Sequence, residues 1–230
     1  MRMCGGIFLF ALSTALVAQQ PAVKIIGLAE EPHHQLLLEN ASTRVYRLAL
    51  RPGGATQPHH HNSFYIFVSV GVSDVSIEVK GRPPVVSHLE DGELRTSKGG
   101  FTIAERNTGA TPLNMIVIEP LNGVGQDKFE DPMASFHLHD TFVGNIFEEP
   151  RIRAYDMAMA SGGRTEQHTD KYGRLIVALT DLFLSDNVEG KGTSEIRQKR
   201  GDVAWFPGGA SHMLTNLDAQ PAHFVTVEFR

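Results

Sequence analysis

Two short segments of this sequence place histidine beside a second polar residue at the alternating spacing of a β-strand. His168 and Asp170 stand two positions apart, and His59-His60-His61 forms a comparable run in the first half of the chain. Residues two apart on a strand point to the same face, about 6.7 Å from each other. Imidazole and carboxylate groups are typical ligands of divalent metal ions. The single cysteine, Cys4, lies in the N-terminal segment, so neither a thiolate site nor thiol catalysis is expected.

A pattern of turn, strand, turn and strand occupies residues 201–216. Gly201-Asp202 and Pro207-Gly208-Gly209 are strong turn sequences. The segment between them, which contains Val203, Trp205 and Phe206, suits a half-buried strand. Similar short runs rich in Val, Ile and Phe recur along the chain, whereas apolar-periodic segments of helical length are absent from the sequence. The sequence therefore predicts an all-β protein.

The chain repeats itself at one fixed offset, since Gly53 recurs as Gly162 and 162 − 53 = 109. The same shift relates Arg44 to Arg153, Tyr46 to Tyr155, Thr56 to Thr165, His59 to His168, Gly92 to Gly201, Gly100 to Gly209, Asn107 to Asn216, Pro112 to Pro221 and Glu119 to Glu228. We interpret this register as a duplication, with domains at 24–121 and 137–230 and a polar linker at 122–136. His33 and His34, near the start of the first copy, have no counterpart at this offset, and we interpret them as surface residues.

These motifs resemble those of the cupin superfamily. The second cupin motif is matched position for position by Gly201, Pro207, Gly209, His212 and Asn216. Gly53, followed after five residues by His59-His60-His61, is similar to the first motif, which has glycine, five residues and then His-x-His. The chain looks most like small secreted bacterial two-cupin proteins. This resemblance implies two tandem cupin-like, jelly-roll β-barrels.

The resemblance nominates His212 as a metal ligand that faces His168 and Asp170. Two imidazoles and one carboxylate leave coordination positions open for water, oxygen or substrate, as in non-haem iron oxygenases. The same ligands accept zinc, manganese or nickel. The expected cofactor is therefore a divalent metal ion, and the ligands do not distinguish Fe, Mn, Zn and Ni.

The second copy departs from the cupin pattern at the other ligand positions. Asp170 replaces a histidine, and Arg174 and Leu175 occupy the place of the usual glutamate. Two interpretations stay open. Arg174 either holds Asp170 in a salt bridge, with metal absent or weak, or lies above the metal and binds an anionic substrate through its bidentate fork. Tyr172 and Trp205 are further candidates for the substrate-binding pocket.

The first copy lacks several motif residues. Ile103 stands at the position of His212, and Phe64-Tyr65 occupies the glutamate region. Because two histidines alone bind a catalytic metal poorly, we interpret this copy as mainly structural. In the alternative, His60 or a histidine from outside the motif completes a second site with His59 and His61.

The N-terminus and the charge balance indicate compartment and partners. Residues 1–18 combine a basic start, an apolar run and small residues, which is typical of a cleaved signal peptide; an uncleaved membrane anchor is the alternative. The formal net charge is −5 and no basic patch stands out, so nucleic acid is not an expected partner. We expect a periplasmic or secreted protein that has no stable membrane anchor, binds a small molecule, and is a monomer or homodimer.

Two functional hypotheses follow. The first is a metal-dependent, dioxygenase-like enzyme for a small organic molecule, anionic if Arg174 binds it, with its metal in the second barrel. The second is a non-catalytic, small-ligand-binding cupin without a functional metal. Catalytic residues beyond the metal ligands are not assigned.

We predict that the mature protein begins between Leu16 and Gln19, because the small residues that end the apolar run suit signal peptidase. N-terminal sequencing of protein from the cell envelope or the medium tests this prediction. Cytoplasmic protein with Met1 intact would contradict it.

Overall fold

A computed structural model describes residues 24–121 and 138–230 of the chain, without the side chains of residues 138, 145 and 146. The predicted signal peptide (1–18) and linker (122–136) lie outside the described residues, so those boundaries stay predictions. No helix in the described ranges is long and apolar enough to cross a membrane.

The first copy folds into two facing five-stranded sheets. Its strands are β1 (Ile26–Gly27), β2 (His34–Glu39), β3 (Thr43–Leu50), β4 (His59–His61), β5 (Tyr65–Ser69), β6 (Ser73–Val79), β7 (Val85–Leu89), β8 (Leu94–Ser97), β9 (Phe101–Asn107) and β10 (Leu113–Pro120), with a short 3-10 helix at Leu28–Glu30. One sheet has the order β1-β4-β9-β6-β7 and the other the order β2-β3-β10-β5-β8. Strands distant in sequence are therefore neighbours, as a jelly roll requires.

The second copy forms one nine-stranded sheet that curls into the second barrel. Its strands are β11 (Leu138–Glu149), β12 (Ile152–Thr165), β13 (His168–Asp170), β14 (Gly173–Ala178), β15 (Leu182–Val188), β16 (Gly192–Gln198), β17 (Val203–Phe206), β18 (Ala210–Asn216) and β19 (Ala222–Phe229). The main path runs β16-β15-β18-β12-β19-β14-β17, with β11 paired to β12 and β13 paired to β18. The predicted all-β class and the two tandem barrels are confirmed.

The duplication extends to individual hydrogen bonds. Strands β4, β9 and β10 correspond residue for residue to β13, β18 and β19 at the sequence offset. Asn107 Nδ2 donates to the carbonyl oxygens of Leu50 and Thr111, and Asn216 Nδ2 donates to those of Met159 and Gln220. Each buried asparagine thus holds the same two loops of its barrel together.

Three apolar clusters explain why the central strands are buried on both faces. One fills the first barrel around Leu48 and Met115, and another fills the second barrel around Met157 and Phe224. The third lies between the barrels and joins the outer faces of β3, β5 and β10 to those of β12, β14 and β19. Burial of apolar area in this inter-barrel core fixes the two barrels against each other.

Polar contacts surround the inter-barrel core. Arg200 Nη2 lies 2.8 Å from Asp91 Oδ1 across the boundary between the barrels. Gly92 has φ +78° and packs so closely that an added Cβ would lie 2.8 Å from Leu179 Cδ1, so this position requires glycine. Beside it, His223 Nε2 lies 2.6 Å from Asp156 Oδ1.

His223 should make stability depend on pH. Its hydrogen bond with Asp156 raises the pKa of His223 above its ordinary value, with Asp91 and Arg200 as further charged neighbours. A histidine with a raised folded-state pKa stabilises the protein below its unfolded pKa of about 6.5, and loses that contribution as pH rises through the folded value.

We therefore expect the stability difference between wild type and His223→Gln to shrink as pH rises from about 6 to 8.5. Urea unfolding at several pH values measures it, and His88→Gln, which removes an exposed histidine paired with Asp74, controls for surface titration. A difference that stays constant over this range would contradict the assignment.

Candidate functional site

The second barrel brings the three predicted metal ligands together. Strand β13 pairs with β18 so that His168 lies directly opposite His212, with ring centroids 4.4 Å apart. Asp170 Oδ2 lies 2.9 Å from His212 Nε2. One donor atom from each of the three residues lies within 4.8 Å of the others. The predicted convergence of His168, Asp170 and His212 is therefore present.

The guanidinium of Arg174 lies at the point on which these donors converge. Arg174 is 4% exposed, points into the barrel and forms an ion pair with Asp170. Its Nη1 donates to His212 Nε2 at 2.8 Å. The lone pairs of Asp170 and His212 that a metal would use are thus directed at a cation. As arranged here, the residues of the second barrel do not fit a metal ion.

Asp186, which the sequence interpretation missed, completes this cluster. Its Oδ1 lies 2.7 Å from His212 Nδ1, and its Oδ2 lies 3.9 Å from Arg174 Nη2. Burial by itself would raise the pKa of Asp186, but the hydrogen bond from His212 and the charge of Arg174 lower it. The sequence did contain a signal for Asp186, because it follows Leu182 and Leu184 at the alternating positions of β15 that face the barrel interior.

Burial keeps the two histidines of this cluster neutral near pH 7. Desolvation lowers the pKa of His168 to about 4, and it also lowers the pKa of His212. The cluster therefore contains two aspartates and one guanidinium, and its histidines add no positive charge. The cavity at the cluster has a volume of only about 10 Å³, which is no more than one water molecule occupies.

Tyr172 and Trp205, the other predicted substrate-binding residues, do not line this cavity. Strand pairing places Trp205 opposite Leu175, on the face that packs in the inter-barrel core, where its ring lies 5.3 Å from that of Phe229. Phe206 is the residue opposite Arg174, with its ring centroid 5.1 Å from the guanidinium carbon. The aromatic neighbour of Arg174 is therefore Phe206 and not Trp205.

The first barrel has a second cluster. His59 and His61 point inward from β4, and their Nε2 atoms are 3.1 Å apart. They are joined by His34 from β2, with ring centroids of His34 and His59 4.8 Å apart, and by Glu105 from β9, with Oε2 3.6 Å from His59 Nε2. The interpretation of His34 as a surface residue was wrong, since its side chain is fully buried.

The third histidine of the run does not belong to this cluster. His60 lies on the opposite face of β4, where its Nδ1 is 3.2 Å from Thr102 Oγ1. The second cluster therefore combines His59 and His61 with His34, a histidine from outside the motif, and does not include His60. His34 lies outside both motif segments and Glu105 is not one of the positions that define the second motif, so pattern matching could not find them.

Comparison with known proteins gives structural neighbours only. No protein-family model and no curated protein sequence matches this chain. A cupin 2 conserved barrel domain protein from Leptotrichia buccalis is similar, with 12% identity, a TM-score of 0.56, and coverage of 88% of this chain and 90% of that chain.

Two enzymes are similar to the same degree. Bacillus subtilis oxalate decarboxylase, whose Mn(II) centres have been characterised, has 13% identity and a TM-score of 0.60, covering 88% of this chain and 76% of that chain. Salicylate 1,2-dioxygenase from Pseudoaminobacter salicylatoxidans has 11% identity and a TM-score of 0.57, covering 82% of this chain and 71% of that chain. At such identities the likeness concerns the fold, and the duplicated strand order and these neighbours together show that this chain has the two-barrel cupin fold.

Proposed function

We propose that this protein is a metal-dependent bicupin that acts on a small organic molecule. The observation that carries the proposal is the pair of buried clusters, one in each barrel, in which histidine and carboxylate donor atoms lie within 4.8 Å of one another. Buried groups of this kind are the usual ligands of Fe, Mn, Zn and Ni. Of these two sets, the predicted one (His168, Asp170, His212) already has the guanidinium of Arg174 among its donor atoms, and the other is formed by His34, His59 and Glu105.

The proposed reaction class is oxidative or decarboxylating chemistry on a small carboxylate. The proposal is supported by neighbours that act on salicylate and oxalate, both of which are carboxylates. A bound divalent ion would polarise such a group and offer an open coordination position for oxygen or water. Together with the predicted signal peptide, this gives a periplasmic or secreted small-molecule enzyme, monomeric or homodimeric, without a nucleic-acid partner.

Metal-dependent turnover tests this proposal. Protein stripped with a chelator and reloaded with Fe(II), Mn(II), Zn(II) or Ni(II) should consume oxygen or release carbon dioxide from a panel of small aromatic and aliphatic carboxylates. The stripped protein is the control for each substrate. Equal signals from stripped and loaded protein across the panel would contradict the proposed function.

A second candidate function is binding of a small ligand without a metal. The observation that favours it is the ion pair of Arg174 and Asp170, which gives the second barrel a permanent cation of its own. In that case the chain would bind a small ligand without turnover, and metal loading would not alter the affinity for that ligand.

The role of Arg174 as an internal countercharge is itself testable. Arg174→Leu leaves Asp170 and Asp186 buried without their cation, and breaking a buried pair in this way costs about 3–5 kcal/mol of folding free energy. We expect this loss of folding free energy in EDTA. Zn(II) should partly reverse it, because the freed donors of His168 and His212 become available to the ion.

The matched control is Arg174→Lys, which keeps the positive charge and should show a smaller loss and no rescue by Zn(II). Urea unfolding with and without the ion distinguishes these cases. An Arg174→Leu protein as stable as wild type in EDTA would contradict the countercharge role.

A further inference from the structure

We infer that the metal ion of this protein is held in the first barrel by His34, His59 and Glu105, with His61 beside them, and not by the predicted ligands of the second barrel. The inference rests on the proposed function only because that function requires an ion. Two of the ligands are not motif residues: His34 precedes both motif segments, and Glu105 lies within the second segment at a position that the motif does not define. The copy that the sequence presents as degenerate is thus the one equipped to bind metal.

The imidazoles are held in the tautomer that a metal requires. His59 Nδ1 donates to the Gln57 carbonyl oxygen at 2.9 Å, and His34 Nδ1 donates to Glu31 Oε2 at 3.0 Å. The Nε2 atom of each ring therefore carries a lone pair directed into the barrel. A carboxylate that orients a metal-bound histidine from behind is a common feature of metal sites, and Glu31 is placed for that role.

Several buried groups in this cluster lack the partner that their chemistry calls for. Among the described residues, His34 Nε2 and His61 Nδ1 are buried without a hydrogen-bond partner. Glu105 is 5% exposed, and its carboxylate contacts Thr56 and His59 but no lysine or arginine of the described residues. Buried polar atoms are rarely unpartnered, and a buried carboxylate without a cation is costly. One divalent ion would satisfy His34 Nε2 and Glu105.

The separations suit ligands that share an ion. The His59 and His61 Nε2 atoms are 3.1 Å apart, and His59 Nε2 is 3.6 Å from Glu105 Oε2. An ion with bonds of about 2.1 Å in tetrahedral or octahedral geometry holds adjacent ligands about 3.0–3.4 Å apart. The donor atoms of His34, His59 and Glu105 all lie within 4.8 Å of one another, so small side-chain shifts would complete the shell.

The competing cation of the second barrel has no equivalent in the first. At the repeat offset, Arg174 corresponds to Tyr65 (174 − 109 = 65), whose neutral ring stacks on His61 at 4.0 Å. A divalent ion here would be balanced by Glu105 directly and by Glu31 through His34. In the second barrel the same ion would meet Arg174 and be repelled.

The two clusters share the positions of His59 and His61, which correspond to His168 and Asp170, but differ at their other positions. His34 and Glu105 correspond to Val143 and Leu214, which are apolar core residues of the second barrel (34 + 109 = 143 and 105 + 109 = 214). Strand pairing confirms the equivalence, since His34 lies opposite Leu48 and Val143 lies opposite Met157. The positions of His34 and Glu105 are thus polar only in the first barrel, whereas the position of Arg174 is cationic only in the second.

The test measures metal content and affinity in four single variants of the full chain. Glu105→Gln and His34→Gln each remove one proposed ligand with little change of shape. His60→Gln alters the outward-facing histidine of the same strand, and His212→Gln alters the second barrel. Each purified protein is stripped, loaded with Zn(II) or Mn(II), and assayed for bound metal by mass spectrometry and for affinity by chelator competition. Circular dichroism of the stripped proteins checks folding.

We expect about one ion per chain in wild type, His60→Gln and His212→Gln. The two ligand variants should lose more than about 100-fold in affinity, because even changes to groups behind a ligand cost 10–100-fold. Loss of metal in His212→Gln with full retention in Glu105→Gln and His34→Gln would overturn the inference and leave the proposed function intact. Absence of metal from every loaded protein would overturn both.

A measurement on wild-type protein covers the case in which a variant does not fold. Protein labelled with ¹⁵N in histidine should show, on addition of Zn(II), the loss of the free lone-pair signal of the first-barrel Nε2 atoms, while the signals of His168 and His212 stay in place. The reverse pattern would overturn the inference. Metal bound in the first barrel without metal-dependent turnover would contradict the proposed function alone.

Discussion

A carboxylate buried inside a β-barrel needs a compensating positive charge, and both barrels of this protein are arranged around that requirement. In the second barrel the countercharge is covalently part of the chain, because the guanidinium of Arg174 lies between Asp170 and Asp186. In the first barrel the carboxylate of Glu105 contacts a hydroxyl and an imidazole but no lysine or arginine of the described residues. An unpaired buried charge is costly. The second barrel avoids this cost with a cation from its own side chains, whereas the first barrel is suited to bind an external cation.

The rest of the fold makes these interiors possible. The inter-barrel core buries the outer faces of β3, β5, β10, β12, β14 and β19, so the strands that flank each cluster are held from both sides. The buried asparagines Asn107 and Asn216 fix the loops at equivalent points of the two barrels. A rigid, duplicated frame allows different inward positions to carry polar groups without changing the strand order.

The sequence predicted the frame better than the site. Turn sequences, alternating apolar runs and the constant offset predicted the duplicated all-β fold. Arg174 lines the same cavity as His168 and Asp170, although it lies on β14 and they lie on β13. The sequence could not predict that His34, Asp186 and Glu105 belong to these clusters, because pairing between strands that are distant in sequence brings them there. Trp205 was predicted to share a pocket with Arg174. It instead pairs with Leu175, the next residue of β14, so its side chain lies on the other face of the sheet. The charged residues around each cluster could not be predicted either, because a motif defines the spacing of residues along one segment and not which residues face it from other strands.

The central claim is that the ion lies in the first barrel because the second barrel supplies its own cation. Anomalous diffraction from crystals of the Mn(II)- or Zn(II)-loaded protein tests this claim most directly. The account predicts one strong anomalous peak in contact with the side chains of His34, His59 and Glu105, and an Arg174 guanidinium that still contacts Asp170. A peak bounded by His168, Asp170 and His212, with Arg174 displaced, would contradict it.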